Sequence, residues 1–546
     1  MSNTTTPART TIEQLDAWRE ACTPYAFFDV RERGEYALGQ IPGACPLPRG
    51  LIEVLAERLC PWRDVTVVLY SNCEHRSTLA AATFAELGYQ DVRILGGGLE
   101  AWTAAGHDPA YGVNVIGKTY GEKLSITGEV QQLSPDEIAQ LADDGKAVIL
   151  DARTPTEHAK GHIPGAVNIP GGEIVTAAFE AGLDSNDRSS TIIVHCAGRT
   201  RSIVGAYLLG QAGFDNVYAL RNGTMAWVMS GRELECDVAP WTRTVSPRSA
   251  TRTSHFADAF VGDSDASAVD AADLITDLQR GKPTYLIDVR LVEEFTAAHL
   301  PGAISCPAGQ LANAVDEFLA ARDAQLVCYS GEESRSKIGA ALLSRIGYRN
   351  VGWLRDGLTG WAADGHPTET GDPNTYLDDL SFAGPDTRKL SAGDVRNGLA
   401  DPPITLVDVR RSSEYALCHI PGSTWVPRGD LERRVGPTVP TDAKVAVVSD
   451  RELRSALSAR TLQSMGYHDV AILEGGLTAW VAAGGYVEQG LDGAEVSLRE
   501  AKEDAELVAQ RPELLERNRD DMVRYLDWEE RLGEELLAAG GGTPAS

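Results

Sequence analysis

Apolar residues along this chain come in short runs, each followed by a segment in which apolar and polar positions alternate at helical spacing. Thr191-Ile192-Ile193-Val194, Ala147-Val148-Ile149-Leu150, Tyr285-Leu286-Ile287 and Val217-Tyr218-Ala219-Leu220 are apolar or β-branched almost throughout and have the length of strands. Residues 203–209 read as a helix ended by Gly213. Strands that are apolar on both faces and separated by helices predict an α/β fold with a central parallel sheet flanked by helices. In such sheets ligands bind beyond the carboxyl ends of the strands.

The pattern repeats four times. Asp29-Val30-Arg31 recurs as Asp151-Ala152-Arg153, Asp288-Val289-Arg290 and Asp408-Val409-Arg410. Six residues after each Asp stands a glutamate (Glu35, Glu157, Glu294, Glu414), followed by a Pro-Gly turn at 42, 164, 301 and 421. Each copy then has an Arg-Ser pair, at 76, 201, 335 and 454, and a tryptophan 26 residues beyond that arginine. One shared register over four copies defines four tandem domains, placed at 9–110, 130–236, 264–368 and 386–488. Between them, residues 107–129 are apolar enough to pack on a neighbour. Residues 237–263 are polar and read as exposed, and 366–385, with three prolines, read as extended. The tail from 491 to 546 is acidic and amphipathic, with Leu514, Leu515, Met522, Leu526, Leu532 and Leu536. It predicts one or two helices broken at Pro512 and packed on the fourth domain, or alternatively an arm that makes a homodimer.

Composition narrows the function. A formal charge of −28 argues against nucleic acid or an anionic membrane as partner. The opening residues lack a signal-peptide pattern, and no apolar run is long enough to span a bilayer. Nine cysteines without CxxC pairs fit neither a zinc site nor a disulfide framework, so a reducing cytoplasm is expected, with no metal and no cofactor.

The candidate chemistry is in His195-Cys196-Ala197-Gly198-Arg199-Thr200-Arg201-Ser202. A cysteine at the end of a strand, in a loop feeding a helix N-terminus, lies in an anion cradle of backbone N–H groups. That field, with Arg199 and Arg201, predicts a thiolate. The Asp-x-Arg motif, the turn from His162 to Ala166, the Cys-x4-Arg-Ser loop and the Gly-Gly-Leu-x-Ala-Trp ending together resemble the rhodanese homology domain. That resemblance implies sulfurtransferase chemistry of the thiosulfate type through a cysteine persulfide. It covers roughly four-fifths of the chain.

Three copies depart from it. At the nucleophile position stands Cys196 in domain 2, but Ser71, Ser330 and Ser449 in domains 1, 3 and 4. A serine hydroxyl with no adjacent base is a poor nucleophile and holds no persulfide, so these three domains are expected to be inactive. Cys73, two positions beyond Ser71, reads as an incidental loop cysteine or, alternatively, a displaced or resolving thiol.

The expected cycle moves sulfane sulfur from thiosulfate, or a related persulfide donor, to cyanide or a thiol through Cys196. Ala197, Gly198, Arg199, Thr200, Arg201 and Ser202 form the substrate loop, in which the arginines attract a dianion. Asp151, Arg153, Glu157 and His162 recur or have counterparts in the silent copies and read as structural. One rival is a non-catalytic sulfur carrier or scaffold. The other is a cysteine phosphatase of the same fold, whose loop would be one residue longer (Cys-x5-Arg).

Overall fold

The computed structural model describes residues 7–182, 191–236, 245–321, 323–373, 387–399, 403–490, 515–538 and 540. The chain divides into two compact units. One comprises residues 1–113 with 374–504, and the other residues 114–373 with 505–546. The first holds repeats 1 and 4. The second holds repeats 2 and 3 and the C-terminal helix.

Every repeat is a five-stranded sheet of the same order. In domain 2 the strands are β1 (Gln132–Leu133), β2 (Ala147–Asp151), β3 (Val167–Asn168), β4 (Thr191–His195) and β5 (Val217–Leu220), arranged β1-β5-β4-β2-β3. All their pairings are parallel. The central β4 is the Thr-Ile-Ile-Val run, buried from Ile192 to His195 because helices cover both faces. Ile149, Ile163, Ile193, Leu220 and Trp227 form the core on one side. Helix α1 (Val115–Ile126) precedes the sheet, α2 (Thr200–Gln211) follows β4, and α3 (Gly223–Met229) follows β5. The predicted strands and the helix after Cys196 are present.

Within each unit, two repeats pack through their Pro-linked turns. In the second unit these are Gly171–Glu173 and Ala308–Gln310. The backbones approach so closely that a Cβ on Gly309 would lie 2.7 Å from the Gly171 Cα. In the first unit the equivalent turns are Arg49–Leu51 and Arg428–Asp430, where a Cβ on Gly50 would lie 2.9 Å from the Gly429 nitrogen. Repeat 2 therefore pairs with 3, and repeat 1 with 4.

One linker expectation and the placement of the tail change. The polar segment 237–263 contains α4 (Pro247–Gly262), capped by Ser246 and carrying buried Phe256, Ala257, Phe260 and Val261. Its apolar residues recur at helical spacing among Ser, Thr and Arg, so average composition hid a packed face. Residues 237–244 lie outside the described residues, as do 374–385 of the segment read as extended and 491–514 of the tail, including Pro512. The last helix, α5 (Leu515–Ala538), packs on α1 and the Cys196 loop of domain 2, where the sequence pattern places it on domain 4. The apolar stripe was legible, but its partner face was not. No helix among the described residues is long and apolar enough to cross a membrane.

Candidate active site

The recurring charged motif is a scaffold. Arg153 forks onto Asp151 (Nε–Oδ1 2.9 Å, Nη2–Oδ2 2.7 Å) and donates to the Gly161 carbonyl at 2.6 Å. The same fork joins Arg31 to Asp29, Arg290 to Asp288 and Arg410 to Asp408, each pair nearly fully buried. The Arg-Ser arginine recurs likewise: Arg201 makes two 2.8 Å bonds to Glu157, and Arg76, Arg335 and Arg454 pair with Glu35, Glu294 and Glu414. Burial raises Glu157, yet the Arg201 guanidinium, the Thr154 hydroxyl and Arg153 together outweigh it and hold the carboxyl at about 2. Identical ion pairs in domains with and without a thiol fix the loop to the sheet.

The second glycine of the Gly-Gly-Leu-x-Ala-Trp ending, Gly223 in domain 2, positions each nucleophile loop. Gly223, at the start of α3, has φ +55°, and a Cβ there would lie 2.4 Å from the Cys196 carbonyl and 2.5 Å from that of Ala197. These carbonyls accept from the N–H groups of Thr224 (2.9 Å) and Met225 (3.2 Å). Gly98, Gly357 and Gly476 stand equally close to the carbonyls of Ser71, Ser330 and Ser449. The recurring tryptophan closes the domain: Trp227 Nε1 donates to the Glu233 carbonyl six residues on (2.9 Å), and Trp102, Trp361 and Trp480 do the same in theirs. His162 pairs backbone-to-backbone with Glu235 and stacks on His158 at 3.7 Å, a structural position as expected.

At the nucleophile position the four loops differ chemically. Ser71 Oγ donates to the Cys73 carbonyl (2.6 Å), Ser449 Oγ to that of Arg451 (2.6 Å), and Ser330 Oγ to that of Glu332. Each serine proton is held by a backbone oxygen two residues on, which is a turn and not an activated nucleophile. Cys196 Sγ instead lies 3.4 Å from Ser202 Oγ, which donates to the Arg199 carbonyl.

The electrostatics of the Cys196 loop contradict the sequence expectation of a thiolate. Cys196 is only 2% exposed, and burial pushes its thiol up; Arg201 and the Ser202 N–H and hydroxyl pull it down, while the Glu529 carboxylate pushes it up again. The preceding His195 supplies no positive charge: burial takes its imidazole down to about 4, against the pull of Asp151 3.8 Å away. Arg199 does not reach into the cradle as a dianion contact. Its Nε and Nη2 bond Glu122 (2.7 and 2.6 Å), and its Nη1 bonds Asn222 (2.6 Å) and Glu530 (2.7 Å). Thr200 Oγ1 donates to Glu529 Oε1 at 3.0 Å. The structure thus places Cys196, Ala197 and Gly198 in the loop and Thr200, Arg201 and Ser202 in the first turn of α2, with Arg199 turned out to α1 and α5. The carboxylates Glu122, Glu529 and Glu530 were missing from the sequence reading.

Cys73 is the opposite case. It caps the helix Glu74–Glu86 in domain 1. Burial pushes its thiol up, but N–H groups of Arg76 and His75 and the Arg433 guanidinium outweigh this and lower it. At neutral pH iodoacetamide is therefore expected to alkylate Cys73 at least about tenfold faster than Cys196, read by peptide mass mapping.

Fold and loop together define a class: parallel α/β domains that present a residue at a strand's carboxyl end inside a ring of amides, with one thiol among four such sites. The rhodanese-like domain model matches residues 11–105, 134–230, 270–364 and 391–483, and the chain belongs to the rhodanese family. It is similar over 98% of its length to the crystal structure of a thiosulfate sulfurtransferase from Pseudomonas aeruginosa, with 31% identity, 99% of that chain covered and a TM-score of 0.80. A thiosulfate sulfurtransferase from Corynebacterium glutamicum is 31% identical over 245 residues, 36% of this chain and 78% of that protein. The putative thiosulfate sulfurtransferase SseB of Mycobacterium tuberculosis is 28% identical over 220 residues, 30% of this chain and 71% of that protein.

Proposed function

We propose that this protein is a sulfurtransferase that carries sulfane sulfur as a persulfide on Cys196. The observation that carries the reading is the contrast among the four loops: one architecture, three serines tied to backbone carbonyls, and one thiol. Names of relatives over the whole chain and over parts of it point to thiosulfate as donor.

In the first step the Cys196 sulfur, as thiolate, attacks the outer sulfur of thiosulfate. The S–S bond of the donor breaks, sulfite leaves with the electron pair, and Cys196–S–S⁻ remains. Amides at the start of α2 hold the new charge. In the second step cyanide, or a thiolate, attacks the terminal sulfur; thiocyanate, or a new persulfide, departs and the Cys196 thiolate returns. Two displacements through a covalent intermediate require ping-pong kinetics. The loop length favours this over phosphoryl transfer, because Arg201 stands five residues after Cys196 and Ser202 six.

Initial rates with thiosulfate and cyanide are expected to give parallel double-reciprocal lines, while aryl phosphates are not hydrolysed. Because the Cys196 thiol is shifted upward, the loading rate should rise with pH through neutrality and into the alkaline range. Intersecting lines, or phosphatase activity lost in Cys196→Ser, would overturn the reading.

A further inference from the structure

The C-terminal helix does more than cover domain 2. Met522, Tyr525 and Leu526 of α5 join Ala197 and Met225 in one buried cluster directly over the loop. A Cβ on Gly198 would lie 3.3 Å from Glu529 Oε2 and 3.6 Å from the Tyr525 ring. Lys118 of α1 holds the helix from the other side, its ammonium 4.7 Å and 4.9 Å from the ring centres of Tyr525 and Trp528. Further along, Gly533 presses on Glu122, where a Cβ would come within 2.9 Å of the Glu122 Cβ. Glu529 is 2% exposed, its carboxylate bonded to Thr200 Oγ1 at the first residue of α2, against the Gly198 backbone. A carboxylate therefore stands at the mouth of the loop that would receive the anionic end of a donor.

The charges around this point do not favour a second anion. Arg199 is shared between Glu122 and Glu530, and Arg201 is paired with Glu157. With Lys118 included, three cations face the four carboxylates Glu122, Glu157, Glu529 and Glu530. A buried charge is screened far less than an exposed one, and the Glu529 carboxylate adds to burial in pushing the Cys196 thiol up.

We propose that Glu529 is a specificity-determining residue, an internal carboxylate that occupies the anion subsite of the Cys196 loop and that a negatively charged sulfur donor must displace. The inference rests on the assignment of Cys196 as the reacting thiol. Charge and bulk have separate consequences. The docked helix hinders every reagent by its volume, but only anionic reagents also meet the Glu529 charge. Glu529→Gln removes the charge and keeps the volume.

The test uses the full-length protein and two alkylating agents that undergo the same displacement of iodide by the thiolate: iodoacetate, an anion, and iodoacetamide, which is neutral. Modification of Cys196 is followed by peptide mass mapping. In Glu529→Gln the rate ratio of iodoacetate to iodoacetamide at Cys196 is expected to rise about tenfold, with a parallel fall in the KM for thiosulfate. Thr200→Val removes the hydroxyl that holds the carboxylate; its ratio should move in the same direction by a smaller factor, and it decides the question should Glu529→Gln not fold. An unchanged ratio in the folded variants overturns the inference. The alkylation ratio needs no sulfur transfer. If no form of the protein takes sulfur from thiosulfate, the functional assignment fails while the ratio still reports on Glu529.

Discussion

Cys196→Ser is expected to lower thiocyanate formation from thiosulfate by at least about a thousandfold, while Cys73→Ser stays within about twofold of the parent. The chain itself contains the reasoning for the first figure. In three of its loops a serine occupies this position, and in each the hydroxyl donates to a carbonyl two residues on. A serine at 196 has the same option at Gly198. Its proton would be tied to the backbone, no base would be in contact, and no persulfide could form. Cys73, although its thiol is shifted downward, lies in the other unit, in a loop whose nucleophile position is Ser71. Retention of full activity by Cys196→Ser with loss in Cys73→Ser would reverse the assignment. Steady-state assay of both variants decides it.

Gly223→Ala is expected to have the second largest effect, on structure and activity together. The residue sits at φ +55°, where an L side chain is strained, and the new Cβ would stand 2.4 and 2.5 Å from two carbonyl oxygens of the nucleophile loop. Neither oxygen is at the end of a flexible side chain, so the loop or α3 must shift. A destabilisation of about 3 kcal/mol follows, with sulfur loading falling by at least about tenfold because Cys196 moves with its carbonyl. Gly231→Ala separates backbone strain from the clash. It also has positive φ, +84°, but nothing lies within 4 Å of its Cβ. Its cost should be about 1 kcal/mol, with activity retained. Thermal unfolding and thiosulfate assays on the two variants make the comparison, and equal effects would remove the special role of Gly223.

Much of this architecture was readable from residue order. Four registers of Asp-x-Arg, Glu, Pro-Gly, Arg-Ser and Trp reported one local structure repeated, and apolar strands such as Thr191–His195 reported a sheet covered on both faces. Recurrence in domains without the thiol also marked the Asp151–Arg153 pair and Glu157 as structural, and their geometry agrees. What escaped depends on which surfaces meet. The stripe on α5 says that a face is buried but not that it lies against domain 2. Arg199 is unique to its loop and looked like a substrate contact, yet its main partner, Glu122, lies 77 residues earlier on a helix that composition read as a linker. The expected thiolate failed for a related reason: the loop's own amides and arginines were visible, whereas the nucleophile position is buried in all four domains and the Glu529 charge comes from a segment more than 300 residues away. The pairing of repeats 1 with 4 and 2 with 3 was hidden likewise, since it turns on backbone approach at Gly50, Gly171, Gly309 and Gly429.

The central claim is that one thiol in four domains carries sulfur. Intact-mass measurement after brief incubation with thiosulfate, followed by peptide mapping, tests it most directly. The account predicts one added sulfur atom per chain, located on the peptide containing Cys196, lost on addition of cyanide and absent in Cys196→Ser. Sulfur on any other peptide, or a full complement in Cys196→Ser, would contradict it.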